Sequence, residues 1–150
     1  MKKRRNLSVL LVAAALIGLV FVWQGRTEGN AADMAGHGTV SPAKAAELMK
    51  KNGANPEFVV LDVRTPEEYR DGHLEGAVMI DFKSNGFKEE LQSLDRGKTY
   101  LVYCRTERRS GSAIAMMEEM GFRNIYHLTG GIKAWEKEGF PTTTQPGGGR

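Results

Sequence analysis

Four short apolar runs, separated by segments with helical character, constrain the fold of this chain more than any other feature. They are FVVLDV (58–63), AVMIDF (77–82), TYLVY (99–103) and NIYHL (124–128). Runs of this length, rich in valine and aromatic residues, are typical of strands that are buried on both faces. Strands that alternate with helices predict an α/β domain with a central, mostly parallel sheet flanked by helices.

The segments between the runs have the signals of helices. Ser41 and Pro42 suit an N-cap and a first helical position, and Thr65 and Pro66 suit the same two positions further along the chain. Helices are predicted over AKAAELMKK, over EEYRDG, over residues 86–94, from Ser110 to Gly121 and after Gly130–Gly131. In the fourth of these helices, apolar side chains recur on one face at helical spacing.

The first 26 residues have the pattern of a signal peptide or a signal-anchor helix. The basic head MKKRRN precedes an apolar run from Leu7 to Trp23. The run is at the short end of membrane-spanning length, so a cleaved signal and an uncleaved anchor both stay open, beside a buried helix of the domain. Because lysines and arginines stay in the cytoplasm, either of the first two predicts a membrane contact and an extracytoplasmic (periplasmic or outer-face) domain, anchored or secreted.

Composition then sets the domain boundaries and argues against one class of partner. Residues 27–39 are small, polar and aperiodic, as in a linker, and residues 142–150 predict a flexible tail. The globular domain is therefore expected over residues 40–141. The chain carries a net charge of +3, but its first 26 residues hold five basic side chains and no acid. The remainder has a net charge of −2, which disfavours a nucleic-acid partner.

The only cysteine, Cys104, follows the third apolar run directly and precedes a predicted helix. A single cysteine excludes an intramolecular disulfide and a cysteine-rich zinc site. Open α/β sheets bind ligands at the carboxyl ends of their strands, beside helix N-termini. Helix N-termini and nearby cations favour the thiolate form of cysteine, and Arg105, Arg108 and Arg109 follow closely. We therefore interpret Cys104 as a reactive thiol, with the backbone amides of residues 105–110 as an anion cradle.

Other conspicuous polar residues favour structural roles. Asp62, Arg64 and Glu68 predict an ion-pair network that orients the loop after their strand, and His73 is expected to bond to backbone groups in its Gly-His-Leu turn. No metal site is predicted, since the three histidines are scattered along the chain. No cofactor is predicted either.

Three ordered blocks resemble the rhodanese-like domain family across residues 40–141. LDVRTPEEYRDGHLEGAVMI (61–80) is similar to the family's Asp-Val-Arg and Gly-His patterns, and VYCRTERRS (102–110) is similar to its active-site loop. LTGGIKAWEKEGFPT (128–142) matches its closing Gly-Gly, Ala-Trp and Gly-x-Pro signature. The resemblance implies a three-layer α/β fold.

The resemblance also implies a sulfurtransferase that works through a persulfide. Cys104 would take the outer sulfur of an anionic donor such as thiosulfate, and a thiol or cyanide acceptor would then remove that sulfur. Arg109 corresponds to the loop-closing arginine of many family members. The substrate-binding residues would be Arg105, Thr106, Glu107, Arg108, Arg109 and Ser110.

Two features of the loop leave alternatives open. Cysteine phosphatases and arsenate reductases of related fold have five residues between cysteine and arginine, whereas four separate Cys104 from Arg109 here, which favours sulfur over phosphate. A module that relays sulfur or binds a partner without free turnover would keep the same cysteine.

Glu107 and Arg108 stand where many members have glycine and a small or polar residue. Glu107 is thus expected either to repel a dianionic donor or to pair with a neighbouring arginine, and to cost energy if the loop requires a positive φ there.

Overall fold

The computed structural model describes residues 36–145, which form a central five-stranded sheet with helices on both faces. The strands are β1 (Gly38–Val40), β2 (Phe58–Asp62), β3 (Val78–Met79), β4 (Thr99–Tyr103) and β5 (Ile125–Leu128). The helices are α1 (Pro42–Asn52), α2 (Pro66–Asp71), α3 (Phe87–Gln92), α4 (Arg108–Glu119) and α5 (Gly131–Lys137). All neighbouring strands pair in parallel, in the order β1-β5-β4-β2-β3. The predicted three-layer α/β fold is confirmed.

Strand β4 lies in the middle of the sheet, and its side chains alternate between the two faces, as the pleat of a strand requires. Tyr100 and Val102 belong to the apolar cluster that includes residues of α4. Leu101 and Tyr103 belong to the cluster on the other face, with residues of α1 and α5. Cys104 continues this alternation and packs in the α4 cluster. The strand therefore delivers the sulfur to the α4 side of the sheet.

Two predicted helix starts are confirmed by side-chain caps. The Ser41 hydroxyl accepts a hydrogen bond from the Lys44 amide at 3.2 Å. The Thr65 hydroxyl accepts from the Glu68 amide, and the Glu68 carboxylate accepts in return from the Thr65 amide. This reciprocal capping box stabilises the start of α2. It also fixes the position of Glu68 in the first turn of that helix.

Three predicted boundaries are wrong at the sheet edges and before α4. The predicted linker 27–39 overlaps β1, which pairs with β5 although it has only three residues and no apolar run. The predicted strand 77–82 is reduced to Val78–Met79, because this edge strand has only β2 as a neighbour and a turn follows at Asp81. Helix α4 begins at Arg108 rather than Ser110, since the Glu107 carbonyl already accepts the Gly111 amide at 2.7 Å.

The imidazole of His73 joins the C-terminal residues to the domain. Its ring nitrogens lie 2.8 Å from the carbonyl oxygens of Tyr69 and Gln145, and its backbone forms a bridge with Thr143. The prediction that His73 bonds to backbone groups is confirmed. Within the predicted tail of residues 142–150, Thr143 and Gln145 bond to His73, and residues 146–150 lie outside the described part of the chain.

Between residues 36 and 145, the chain has no helix that is both long enough and apolar enough to cross a membrane. The predicted signal peptide or anchor of residues 1–26 lies outside the described part of the chain. The membrane contact and the extracytoplasmic location therefore stay predictions.

Candidate active site

Cys104 lies at the bottom of an open cleft of about 590 Å³ at the carboxyl end of β4. Its side chain is only 1% exposed, because α4 and the loop after β4 surround it. The cleft walls carry one carboxylate, that of Glu68, and five cationic side chains. The cationic residues are Lys83, Arg105, Arg108, Arg109 and Lys133. Lys83 and Lys133 come from outside the cysteine loop, and the sequence did not point to them.

Helix α5 holds the loop that follows Cys104. The backbone amide of Ile132 donates to the Cys104 carbonyl at 3.0 Å, and that of Lys133 donates to the Arg105 carbonyl at 3.2 Å. Two successive carbonyls of the loop thus face α5. These hydrogen bonds also satisfy two of the free amides at the start of that helix.

The same arrangement turns the loop amides away from α5. In a trans peptide the C=O and N–H groups point in opposite directions, and no peptide in the described chain is cis. The Thr106 carbonyl also faces α5, since it would lie 2.6 Å from a Cβ atom added to Gly131. The amides of residues 105–107 therefore point to the opposite side, and none donates to another group among the described residues. Three backbone donors stay available to an anion.

Helix α4 adds its N-terminal end to the site. It begins at Arg108, and the first amides of a helix lack intrahelical acceptors and carry partial positive charge. Its N-cap residue, Glu107, has a φ of −160°, which lies outside the left-handed region that favours glycine. No residue of the described chain other than glycine has a positive φ. The loop does not require a positive φ at Glu107, so glutamate has no conformational cost of that kind there. Only its negative charge can affect the donor.

A carboxylate–guanidinium pair closes one side of the cleft. Arg109 donates two hydrogen bonds to Glu68, at 2.6 Å and 2.8 Å, so that the first turn of α4 is tied to the first turn of α2. This bidentate geometry is among the stronger ion pairs in proteins. Hydrogen bonding to Arg109 lowers the pKa of Glu68 to about 2. We name this pair the Glu68–Arg109 clamp.

Residues 41–138 match the family described as the rhodanese-like domain. The chain belongs to the rhodanese-like domain family. It is 32% identical over 108 residues to the thiosulfate sulfurtransferase GlpE of Pseudomonas putida, a match that covers 72% of this chain and 92% of GlpE.

This rhodanese-like protein spans only part of the length of some curated relatives. It is 32% identical over 114 residues to the probable adenylyltransferase/sulfurtransferase MoeZ of Mycobacterium tuberculosis, where the match covers 76% of this chain but 28% of MoeZ. A crystal structure of a rhodanese-related protein from Thermoplasma volcanium has a TM-score of 0.61 at 28% identity, and the match covers 73% of this chain and 100% of that one.

The ion-pair network predicted for this rhodanese-like domain is divided in two. Arg64 donates to Asp62 at 2.7 Å and to the Gly72 carbonyl at 2.7 Å, and both side chains are buried. The Tyr103 hydroxyl donates to Asp62 at 2.6 Å, and burial raises its pKa well above the usual value. Asp62 and Arg64 thus form a buried ion pair with each other. Glu68 also forms an ion pair, but its partner is Arg109 of the cleft rather than Arg64.

Sequence reasoning also missed His127. Its Nε2 atom lies 2.7 Å from the Ser110 hydroxyl, which in turn donates to the Cys104 sulfur at 3.3 Å. In the parallel pairing of β4 with β5, His127 stands beside Val102, which is two residues before the cysteine. Only the register of the sheet brings the histidine to the site. No group of three or more metal-ligating side chains occurs between residues 36 and 145.

Arg109→Ala is expected to lower kcat/KM with thiosulfate roughly tenfold, because both the clamp and one cleft charge are lost. Glu68→Gln should lower it less, since the cation remains. The double variant should be less impaired than the product of the single effects, as expected for coupled partners.

The contribution of the clamp to the free energy of unfolding should depend on pH. It should be fully present above the ordinary carboxyl pKa of about 4.3 and fade as pH falls towards 2, because the pKa of folded Glu68 is lowered.

The matched control for the clamp is the other ion pair of α2. Arg70 and Glu67 are 3.4 Å apart on that helix, with side chains 71% and 73% exposed. Exposed pairs of this kind contribute little, so Arg70→Ala should keep wild-type kinetics. Equal kinetics for Arg109→Ala and Arg70→Ala would show that the clamp has no part in donor use.

Proposed function

We propose that this protein is a sulfurtransferase that moves a sulfane sulfur atom from an anionic donor, such as thiosulfate, to a thiol or cyanide acceptor. The observation that carries the proposal is that Cys104 lines a cationic cleft and is followed by three loop amides that point away from α5 and donate to no described group. The family and the sulfurtransferase names of its relatives support the same chemistry. We place the activity outside the cytoplasmic membrane on the strength of the first 26 residues alone.

The first half-reaction loads the cysteine. The Cys104 thiolate attacks the outer sulfur of thiosulfate, the S–S bond of the donor breaks, and sulfite leaves with the electron pair. The product is a persulfide whose negative charge lies on the terminal sulfur. The amides of residues 105–107 and the N-terminus of α4 would stabilise that charge, as an oxyanion hole does for oxygen.

The second half-reaction returns the enzyme to its starting state. A thiolate or cyanide acceptor attacks the terminal sulfur of the persulfide, and the sulfur–sulfur bond on Cys104 breaks with its electrons returning to the cysteine. No net oxidation occurs. The exposed side chains of Arg105, Arg108, Lys83 and Lys133 would raise the local concentration of an anionic donor.

Intact-mass spectrometry after incubation with thiosulfate tests the proposal directly. We expect an adduct of one sulfur atom on Cys104 that reductant or cyanide removes, with no hydrolysis of aryl phosphates. Phosphatase turnover without a persulfide would instead support the cysteine phosphatase alternative, despite the four-residue spacing between Cys104 and Arg109. A persulfide that neither cyanide nor small thiols discharge would support the sulfur-relay module.

Glu107→Gln is expected to raise kcat/KM with thiosulfate, by about threefold at low ionic strength, because it removes one charge that repels the donor. Glutamine is chosen because it removes only the charge of Glu107 and keeps the length of its side chain. No ion pair joins Glu107 to Arg105 or Arg108 in the part of the chain that is described. The gain should shrink as salt rises.

The control for this charge effect lies at the other end of the same helix. Glu119 is exposed and ends α4, roughly 18 Å away at 1.5 Å per residue. Glu119→Gln makes the same change in net charge and should leave thiosulfate kinetics unaltered. A fall in efficiency for Glu107→Gln would show that Glu107 organises the loop.

A further inference from the structure

The Ser110 hydroxyl lies between the reactive sulfur and two further polar groups. It is fully buried in the first turn of α4. Its oxygen lies 3.3 Å from the Cys104 sulfur, 3.0 Å from the Glu107 carbonyl oxygen and 2.7 Å from Nε2 of His127. The shortest of these contacts is the one to the histidine.

The proton inventory of this group limits what it can do for the sulfur. A hydroxyl has one hydrogen to donate, and a carbonyl oxygen can only accept. If Nε2 of His127 carries no hydrogen, it competes for the single hydrogen of Ser110. If Nε2 carries a hydrogen, it donates to the Ser110 oxygen, and the hydroxyl hydrogen is free to point at the sulfur.

We propose that His127 is a positioning residue for sulfur transfer: its Nε2–H donates to Ser110, which directs the Ser110 hydrogen to the Cys104 sulfur and stabilises the thiolate. The inference rests on the proposed function, because it concerns the thiolate that attacks the donor. The hydrogen bond to a charged sulfur is stronger than one to a neutral thiol.

The surroundings of His127 favour a neutral ring in this role. The side chain is half-buried on β5, and burial lowers its pKa, although the nearby carboxylate of Glu107 acts in the opposite direction. A neutral imidazole can still donate from Nε2 when the hydrogen resides there. In the proposed arrangement the hydrogen of the neutral ring resides on Nε2, which donates to the Ser110 oxygen 2.7 Å away, and the thiol proton leaves to solvent rather than to His127.

The arrangement also suits the second half-reaction. Once Cys104 carries a second sulfur, the negative charge lies on the terminal atom, and the inner sulfur becomes a weaker acceptor. The Ser110 hydrogen can then turn to the Glu107 carbonyl, 3.0 Å away. When the acceptor removes the outer sulfur, the hydrogen returns to the thiolate as its charge develops.

Charged groups from several elements lie around Cys104, and one of them, Glu107, also acts on His127. They come from α4 and its N-cap, the cysteine loop, α2, α5 and the segment after β3. In that order, they are Arg108 and Arg109, Glu107, Arg105, Glu68, Lys133 and Lys83. The variants used in the test keep all of these charged groups in place.

The experiment measures the rate of Cys104 alkylation by iodoacetamide as a function of pH, which requires no sulfur transfer. For His127→Leu, we expect the midpoint of the profile to rise by about one pH unit, since one hydrogen bond to the thiolate is weakened. His127→Gln, whose amide can donate but cannot titrate, should have a midpoint near that of the wild type. Ser110→Ala should shift the midpoint as His127→Leu does, and the double variant should shift it no further.

Several outcomes would overturn the inference. A wild-type profile for His127→Leu would exclude an effect on the thiolate, and a lower Tm without a shifted midpoint would indicate packing alone. A shift in His127→Gln as large as in His127→Leu would mean that the ring must take up a proton. His37→Leu is the control, because His37 pairs with Glu118 on an exposed part of α4 and should leave the profile unchanged. If the wild type forms no persulfide, the proposed function fails, while the alkylation profiles still decide the role of His127.

Discussion

Replacement of Cys104 by serine is expected to abolish sulfur transfer, with turnover from thiosulfate to cyanide at least a thousandfold below wild type. The serine hydroxyl is close in size to the thiol, but it does not ionise near neutral pH and is a poor nucleophile towards sulfur. The sulfur adduct on the protein should disappear in intact-mass spectra. Substantial turnover by the variant would contradict a persulfide mechanism.

The fold of the Cys104→Ser variant should remain intact. The side chain is buried in the α4 cluster, but a hydroxyl there still has the Ser110 oxygen, 3.3 Å from the present sulfur, as a partner. A buried hydroxyl with a hydrogen-bond partner costs little, so the free energy of unfolding should change by about 1 kcal/mol or less. Circular dichroism and Tm provide the check. If the variant unfolds, the loss of turnover cannot be assigned to the missing thiol.

The sequence predicted the sheet best where strands are buried on both faces. In β4 and β2, the apolar runs and the strands coincide, because both faces of these strands pack against apolar clusters, and the buried charge of Asp62 in β2 is paired with Arg64. The edge strands β1 and β3 were misjudged, since an edge strand needs few apolar residues and its length is set by its single neighbour. The position of Cys104 was also predictable, because the cysteine directly follows the apolar run that predicts β4.

The contacts around the cysteine were less predictable because they join residues that are distant in sequence. The sequence predicted a single ion-pair network because Asp62, Arg64 and Glu68 lie within seven positions of one another. The capping box of α2 instead presents Glu68 to Arg109, 41 residues away. The contact of His127 with Ser110 depends on the parallel register of β5 with β4, which no local pattern encodes.

Gly131→Ala is expected to lower kcat/KM roughly hundredfold, because displacement of catalytic groups by about 1 Å has effects of that size. A Cβ atom at this position would lie 2.5 Å from the Cys104 carbonyl oxygen and 2.6 Å from that of Thr106. Real Cβ atoms do not approach backbone this closely, so either the loop or the start of α5 must move. Movement of the loop carbonyls also moves the amides of residues 105–107 on the opposite side of the same peptides.

Gly76→Ala separates this displacement from simple backbone strain. Gly131 and Gly76 both have left-handed backbone, with φ of +60° and +70°. Alanine there costs about 1 kcal/mol in either case, so both variants should lose stability. At Gly76, however, nothing lies within 4 Å of an added Cβ atom, and kinetics with thiosulfate should stay near wild type. If Gly131→Ala retains wild-type kcat/KM at a temperature where both variants are folded, α5 yields instead of the loop, and the orientation of the amides does not depend on this glycine.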